Sequence, residues 1–247
     1  DGPLPWEVVF LGGDDVLLLT AASIALPVTE ALAENVAERT APITEPHGRD
    51  HLSLGIGLAA GDPHVPIRVL RRLAGELEDS AKELAYARDE EVTTVDFHRI
   101  TGEGSTTLDH VREETLRPRR DYRGDRHEAP TRLTGRPFTL DRLRAVRDVA
   151  SAWNRADLPQ SKLHEVREAL FESPAEAMRT WAHVVARASG EERPAWQRLS
   201  EISDPAAAAT DLELPWTTPS DPSRSGSEAR QTYLLDVMEA YALEDGT

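Results

Sequence analysis

The spacing of apolar residues predicts a strand, a turn and a second strand at the start of the chain. "WEVVF" at 6–10 and "VLLLT" at 16–20 are rich in β-branched and aliphatic residues, and two glycines and two aspartates lie between them. The second run is apolar at successive positions, so we expect that strand to be buried on both faces. A helical spacing of apolar residues follows over 22–39, with Pro27 in its first turns.

Two further strands and a helix are predicted before residue 100. "HLSLGIGLAA" at 51–60 alternates large apolar and small residues, which is typical of a strand. Apolar residues at every third or fourth position predict an amphipathic helix over 66–87, and "VTTVDFH" at 92–98 predicts another strand. This order of elements predicts an α+β domain with a largely antiparallel sheet.

Apolar stripes at helical spacing predict that the second half of the chain is α-helical. Thr139 and Ser173 are predicted N-caps of two of these helices, and Ser173 forms a capping box with Glu176. Residues 117–136 carry seven arginines without apolar periodicity, which predicts a solvated linker and leaves RNA contact as an alternative. The predicted organisation is an α+β domain over 1–116, an arginine-rich linker over 117–136 and a helical domain over 137–247.

Composition narrows the classes of function. The 247 residues include 44 acidic and 28 basic side chains, and the net charge of -16 argues against coating nucleic acid by charge alone. There is no cysteine, which excludes disulfides, thiolate zinc sites and a cysteine nucleophile. The longest apolar stretch, 16–28, is shorter than the roughly 20 residues that span a bilayer. We therefore expect a soluble, cytoplasmic protein without a membrane partner.

The turn between the first two strands has two interpretations. Glycine and aspartate are residues that any hairpin turn favours, so Gly12, Gly13, Asp14 and Asp15 can be explained by turn geometry alone. The other interpretation is a metal site, because divalent metals held on carboxylates neutralise the charge of a nucleoside triphosphate during phosphoryl transfer. Taken by themselves, these four residues leave both interpretations open.

Several segments in the same order resemble a known family. The segments are "FLGGDDVLLLT", a helix, "LSLGIGLAA", "VLRRLAGELEDSAKELA" and "VDFH", followed by "RPFTLDRLRAVRDVA", "LPQSKLHEVREAL" and "TYLLDVMEAYAL". They resemble the palm domain of GGDEF-type nucleotide cyclases and, more closely, the second palm and helical region of the large subunit of type III CRISPR effector complexes. The resemblance implies a ferredoxin-like palm over 1–116, followed by an α-helical domain.

The resemblance also implies a function and a set of site residues. Asp14 and Asp15 would bind Mg²⁺ or Mn²⁺ and be catalytic, and Gly12 and Gly13 would leave room for the nucleotide. Lys82, one of two lysines in the chain, lies where palm cyclases place a phosphate-contacting lysine. Its plainer interpretation is a surface ion pair with Glu78. The implied activity is conversion of ATP to cyclic oligoadenylate signals in antiviral defence, with RNA-guided effector subunits and RNA as partners.

One departure from the resembled palm keeps a second function open. That palm has a central strand before the hairpin, which supplies another metal-binding carboxylate, and nothing before Trp6 can form it. We therefore expect half of a metal site in this chain, unless the strand comes from elsewhere. The alternative is a non-catalytic palm that binds nucleotide or scaffolds partner subunits. A GGDEF-type dinucleotide cyclase is disfavoured because Asp15 and Val16 replace the Glu and Phe of that motif.

Two polar residues on the last predicted strand are further candidates. Asp96 and His98 alternate with Val95 and Phe97, so they lie on the same face of that strand. They can face a pocket, or they can be a hydrogen-bonded polar pair, and the second interpretation is favoured because buried polar groups are normally hydrogen-bonded.

Overall fold

The computed structural model describes residues 6–88, 91–100, 107–112, 116, 118, 131–203 and 231–245. The strands are β1 (Trp6–Gly12), β2 (Asp15–Thr20), β3 (Gly55–Gly61), β4 (Thr94–Ile100) and β5 (Phe138–Thr139). Helices of the first half are α1 (Ala22–Thr44), a 3-10 turn (Glu45–His47), α2 (Ile67–Arg88) and α3 (Leu108–His110). Those of the second half are α4 (Leu140–Arg155), α5 (Gln160–Glu172), α6 (Pro174–Arg187), α7 (Glu192–Gln197), α8 (Leu199–Ser203) and α9 (Leu234–Asp245).

The strands form two small sheets, and the predicted α+β class is confirmed. β1 and β2 make an antiparallel hairpin, while β4 lies between β3 and β5 in a three-stranded sheet. The expectation of a largely antiparallel sheet is wrong at β3 and β4, which pair in parallel. Helix α2 connects them and packs against both, as a crossover between parallel strands must. Within the described residues, the hairpin does not pair with the second sheet.

The hairpin is more exposed than its apolar sequence predicts. Val16 is 51% exposed, Leu19 is 47% exposed and Leu11 is 71% exposed. The prediction that the second strand is buried on both faces is therefore wrong for the described part of the chain. A continuous apolar run indicates a strand suited to burial, but the elements that pack against it decide whether it is buried. The hairpin thus offers apolar faces to a further element.

Helix α2 packs closely on β3 because β3 contains glycines. The buried face of α2 carries Leu73, Leu77, Ala81 and Leu84. At Gly57, a Cβ atom would lie 2.0 Å from the main-chain oxygen of Ala74 on that helix. This close approach leaves no room for a side chain at position 57, and it determines the distance between α2 and the sheet.

A continuous apolar core joins the sheet of β3 and β4 to the second half of the chain. Phe97 of β4 contacts Phe138, with ring centroids 6.2 Å apart. Trp153 and Trp196 belong to the same buried cluster, with centroids 5.1 Å apart. The predicted division at 117–136 stays a prediction, but it does not correspond to a break in this core.

The second half folds into helices at the predicted positions. The Thr139 hydroxyl accepts a hydrogen bond from the Arg142 N–H, and the Ser173 hydroxyl accepts one from the Glu176 N–H at 3.1 Å. Both residues are thus N-caps as predicted, each satisfying a donor of the first helical turn. Among the described helices, none combines the length and the apolar character needed to cross a membrane.

The end of the predicted arginine-rich linker is buried rather than solvated. The Arg136 side chain is 1% exposed, and its guanidinium lies 2.8 Å from an Asp236 oxygen and 2.9 Å from a Glu239 oxygen. The same guanidinium donates a hydrogen bond to the carbonyl oxygen of Phe97. The exposure predicted for 117–136 is therefore wrong at residues 131–136, where Leu133 is also buried. Residues 117 and 119–130 lie outside the described residues.

The two carboxylates that neutralise Arg136 have pKa values shifted in opposite directions. Full burial raises the pKa of Asp236 to about 6, against the attraction of Arg136 and hydrogen bonds from Gly135 and Thr134. Burial also raises the pKa of Glu239, but Arg136 and His98 outweigh that effect and hold it at about 2. Glu239 stays ionised because it also accepts a hydrogen bond from the Arg99 N–H.

The raised pKa of Asp236 predicts a pH-dependent stability. Folding raises this pKa from about 3.8 to about 6, so the folded state binds a proton that the unfolded state has released. This contribution is present at low pH and is lost as pH rises through about 6. The unfolding free energy of the unmodified protein should therefore decrease between about pH 5 and pH 7.5. We expect this decrease to be smaller by about 1 kcal/mol in Asp236→Asn. Urea unfolding at both pH values measures this, and an unchanged slope would contradict it.

Candidate functional site at the hairpin turn

The hairpin turn has two residues, Gly13 and Asp14, between the paired Gly12 and Asp15. Gly13 has a φ of 64°, while Asp14 has a negative φ. A positive φ at the first central residue alone is the geometry of a type II′ turn, in which glycine is favoured at that position. Turn geometry therefore explains Gly13 but requires neither aspartate.

Gly12 has a different structural reason. A Cβ atom at Gly12 would lie 2.7 Å from Cζ of the Phe10 ring, so this ring occupies the space beside the glycine. Phe10 is 54% exposed, so the ring is only partly covered by the described residues. The predicted role of Gly12 and Gly13 in leaving room for a nucleotide stays a prediction, and it requires the Phe10 ring to move aside.

The two aspartates stand free at the tip of the hairpin. Asp14 and Asp15 are both exposed, and neither carboxylate is hydrogen-bonded or ion-paired within the described residues. Mg²⁺ takes one or two carboxylates from a protein and completes its shell with phosphate oxygens and water, and Mn²⁺ prefers the same hard ligands. The donor set fits such an ion. Among the described residues, no group of three or more His, Asp or Glu side chains is placed to hold a metal.

Lys82 of α2 interacts electrostatically with this tip. Its Nζ is 2.5 Å from an Oε1 of Glu78, which confirms the predicted ion pair. The hydrogen bond to Glu78 is the main cause that raises the pKa of Lys82, and the negative charge of Asp15 raises it further. The stem of Lys82 rests on Gly55, where a Cβ atom would be 2.5 Å from its Cγ. The fold thus brings Lys82 into the electrostatic field of Asp15, 67 positions away in the sequence.

Comparison with known families identifies this part of the chain. Residues 5–90, from the hairpin to the end of α2, match the family model described as Cas10/Cmr2, second palm domain. This part of the chain is similar to the second palm domain of Cas10/Cmr2. The match confirms the predicted resemblance to the large subunit of type III CRISPR effector complexes, and it covers about a third of the chain. No curated protein matches the chain.

The Cas10/Cmr2 match gives a coarse function. Cas10/Cmr2 proteins belong to multi-subunit type III CRISPR effector complexes, so this palm implies a part in type III CRISPR defence beside other effector subunits. The match describes a domain and not a reaction. Metal binding by Asp14 and Asp15, nucleotide binding by Gly12, Gly13 and Lys82, and RNA contact therefore stay predictions.

Asp96 and His98 lie apart from the turn of the Cas10/Cmr2 palm. The buried carboxylate of Asp96 accepts hydrogen bonds from Arg112, which also donates to the Ser80 hydroxyl at 2.9 Å. His98 lies 3.2 Å from Glu239 through Nδ1. The hydrogen-bonded interpretation is therefore correct for Asp96, but the two residues have different partners.

Two features of the structure were not predicted from the sequence. The first is the position of the Phe10 ring beside Gly12. The sequence could have indicated it, because residues two positions apart on a strand lie on the same face. The second is a cavity beyond the end of β4, lined in part by His164 and Arg167. Together with Leu163 and Phe171, these two residues recur at helical spacing and form a polar and aromatic stripe on α5. This spacing could have indicated the site from the sequence.

Proposed function

We propose that the palm takes part in metal-dependent nucleotidyl transfer on ATP, forming cyclic oligoadenylate-type signals in type III CRISPR defence. The observation that carries the proposal is the pair of carboxylates, Asp14 and Asp15, at the tip of a hairpin within a Cas10/Cmr2 palm match; neither is hydrogen-bonded or ion-paired within the described residues. A turn needs Gly13 at this position, but it does not need two adjacent unpaired carboxylates.

Each residue of the candidate site has its own role in the proposed reaction. Asp14 and Asp15 hold Mg²⁺ or Mn²⁺ through carboxylate oxygens, and Lys82 donates hydrogen bonds to a phosphate oxygen of ATP. A bound divalent ion supplies neutralisation of the triphosphate charge and lowers the pKa of the attacking ribose hydroxyl. Glu78 keeps the Lys82 ammonium charged and directed along α2 until a phosphate competes for it. Gly13, without a side chain, keeps the approach to the two carboxylates open.

Activity further requires a strand that completes the palm. Within the described residues, β1 and β2 pair only with each other, and the apolar faces of this hairpin are exposed. The described residues also provide no third carboxylate beside Asp14 and Asp15. We propose that a strand from outside the described residues, in this chain or in another, packs there and brings the remaining ligand.

A specific observation favours the second candidate function, a palm that binds nucleotide or scaffolds subunits without catalysis. The Phe10 ring occupies the space beside Gly12, and the hairpin exposes Leu11, Val16 and Leu19. Exposed apolar faces of this kind are typical of surfaces that partner proteins cover. In this case Asp14 and Asp15 bind a metal–nucleotide complex without turnover.

The test is incubation of the protein, with the completing strand supplied, with ATP and Mg²⁺ or Mn²⁺, followed by chromatography of the products. We expect oligoadenylate formation, and we expect Asp14→Ala with Asp15→Ala to reduce it on the order of 100-fold or more, because the electrostatic stabilisation of the reacting phosphates is lost. The matched control, Glu38→Ala with Glu83→Ala, removes two exposed carboxylates elsewhere. It should retain the activity.

Calorimetric titration with ATP separates the two candidates. Metal-dependent ATP binding that needs Asp14 and Asp15, without product, would support the non-catalytic palm. If neither product nor metal-dependent ATP binding changes when both aspartates are replaced, both candidate functions are wrong.

A further inference from the structure

A second candidate ligand site lies away from the hairpin turn. A cavity of about 470 Å³ lies between the C-terminal end of β4 and helices α5 and α9. Its walls include His98 and Arg99 from β4, and His164 and Arg167 from α5. None of the turn residues lines it. A volume of this size is within the range of about 300–1,000 Å³ that is typical of small-molecule sites.

The charges on the cavity wall are mostly positive, in a protein of net charge -16. Arg99 makes no side-chain ion pair in the described part of the chain. The carboxylate nearest to Arg167 is its neighbour Glu168, at 3.8 Å, and both side chains are about half exposed, so this pair is weak. Among the described residues, the cavity wall contains one carboxylate, Glu239, whose charge is already balanced by Arg136. The cavity therefore favours an anion.

Apolar side chains also line the cavity, next to the cationic ones. Leu163, Phe171 and Met238 line it, and the Arg167 guanidinium lies 5.3 Å from the centre of the Phe171 ring. This contact holds the guanidinium against the wall, so less side-chain freedom is lost when it binds an anion. At one end, the Gln160 amide donates to the Tyr241 hydroxyl at 3.1 Å, so hydrogen-bonding groups of both residues lie beside the cavity.

We propose that this cavity binds a nucleoside monophosphate. Arg99, His164 and Arg167 bind the phosphate, and the apolar side chains of Leu163 and Met238 contact the base. The cavity lining combines cationic, apolar and hydrogen-bonding side chains, which match the phosphate, the base and the ribose of such a ligand. A volume of about 470 Å³ suits one nucleotide rather than a strand. The site uses no residue of the hairpin turn and requires no metal, so it does not rest on the proposed nucleotidyl transfer.

The test is calorimetric titration of the whole chain with AMP in the presence of EDTA, which removes any metal-dependent binding at the turn. We expect saturable binding that Arg167→Ala and His164→Ala each weaken, with Arg167→Ala causing about a tenfold loss, because a charge-assisted hydrogen bond is removed. Both positions are exposed on α5, so circular dichroism should give unchanged helix content for both variants.

Matched controls test whether AMP binding depends on this cavity rather than on another cation of α5 or on the hairpin turn. Lys162→Ala removes a cation from the same helix that does not line the cavity, and Asp14→Ala with Asp15→Ala changes the turn; both should bind AMP like the unmodified protein. Adenosine and inorganic phosphate should each bind more weakly than AMP. The proposal is wrong if AMP does not bind in EDTA, if Arg167→Ala and His164→Ala both leave binding unchanged, or if phosphate alone binds as tightly as AMP.

Discussion

Replacing Gly57 with alanine should destabilise the protein by at least about 3 kcal/mol. The added Cβ atom would lie 2.0 Å from the main-chain oxygen of Ala74 and 2.4 Å from the main-chain nitrogen of Glu78. Both are backbone atoms of α2, so no side-chain rotation relieves the clash and the helix has to move away from β3. Moving α2 also separates Leu73 and Leu77 from their buried contacts.

Urea unfolding followed by circular dichroism measures the effect of Gly57→Ala. Gly75→Ala is the matched control, because it places the same methyl group on α2, where nothing lies within 4 Å. Alanine in a helix interior should raise the unfolding free energy there by roughly 0.5–1 kcal/mol. A loss of less than about 1 kcal/mol for Gly57→Ala would mean that α2 can shift without cost, contrary to the packing described above.

The elements were predictable where a local pattern determines them. Helix α2 was predicted over 66–87 and occupies Ile67–Arg88, and the caps at Thr139 and Ser173 follow from the bonding of their side chains to the first helical turn. The parallel pairing of β3 with β4 was not predicted, because alternation describes the faces of one strand and not its neighbours. Its connection through a helix was the available signal, since parallel strands require a crossover.

Burial was less predictable than secondary structure. The seven arginines of 117–136 look alike in sequence, and the ion pairs of Arg136 with Asp236 and Glu239 arise from residues about a hundred positions away. The apolar run of β2 indicated a buried strand, yet its exposure depends on what packs against the hairpin. In both cases, contacts between distant segments decide the outcome.

The candidate site was predictable in its residues but not in its arrangement. The sequence places Asp14 and Asp15 at a turn, and the structure adds that both carboxylates lack a hydrogen bond or ion pair in the part of the chain that it describes. The electrostatic effect of Asp15 on Lys82 arises between residues far apart in the sequence, so no local pattern specifies it. The ring of Phe10 beside Gly12, in contrast, is a contact between two residues of one strand that lie on the same face.

Replacing Arg136 with methionine should lower the unfolding free energy by about 3–5 kcal/mol near neutral pH. Methionine keeps most of the length of the side chain but removes the charge that balances Asp236 and Glu239, both of which are within 3 Å of the guanidinium. The two buried carboxylates would then lose the guanidinium that they share, and the hydrogen bond to the Phe97 carbonyl oxygen would be lost. Arg179→Met, at a side chain that is 73% exposed, is the matched control and should change stability by less than about 0.5 kcal/mol.

The pH dependence of the Arg136→Met variant distinguishes lost charge balance from lost packing. Without the guanidinium, the pKa values of Asp236 and Glu239 both rise, because its attraction lowers both in the unmodified protein. Protonation of these carboxyl groups then relieves their repulsion, so the destabilisation should be smaller at about pH 5 than at about pH 7.5. Adding Asp236→Asn and Glu239→Gln to Arg136→Met should restore part of the stability at neutral pH. A loss that is equal at both pH values and unaffected by these additions would mean that Arg136 acts through packing, and that the charge network does not hold α9 against β4.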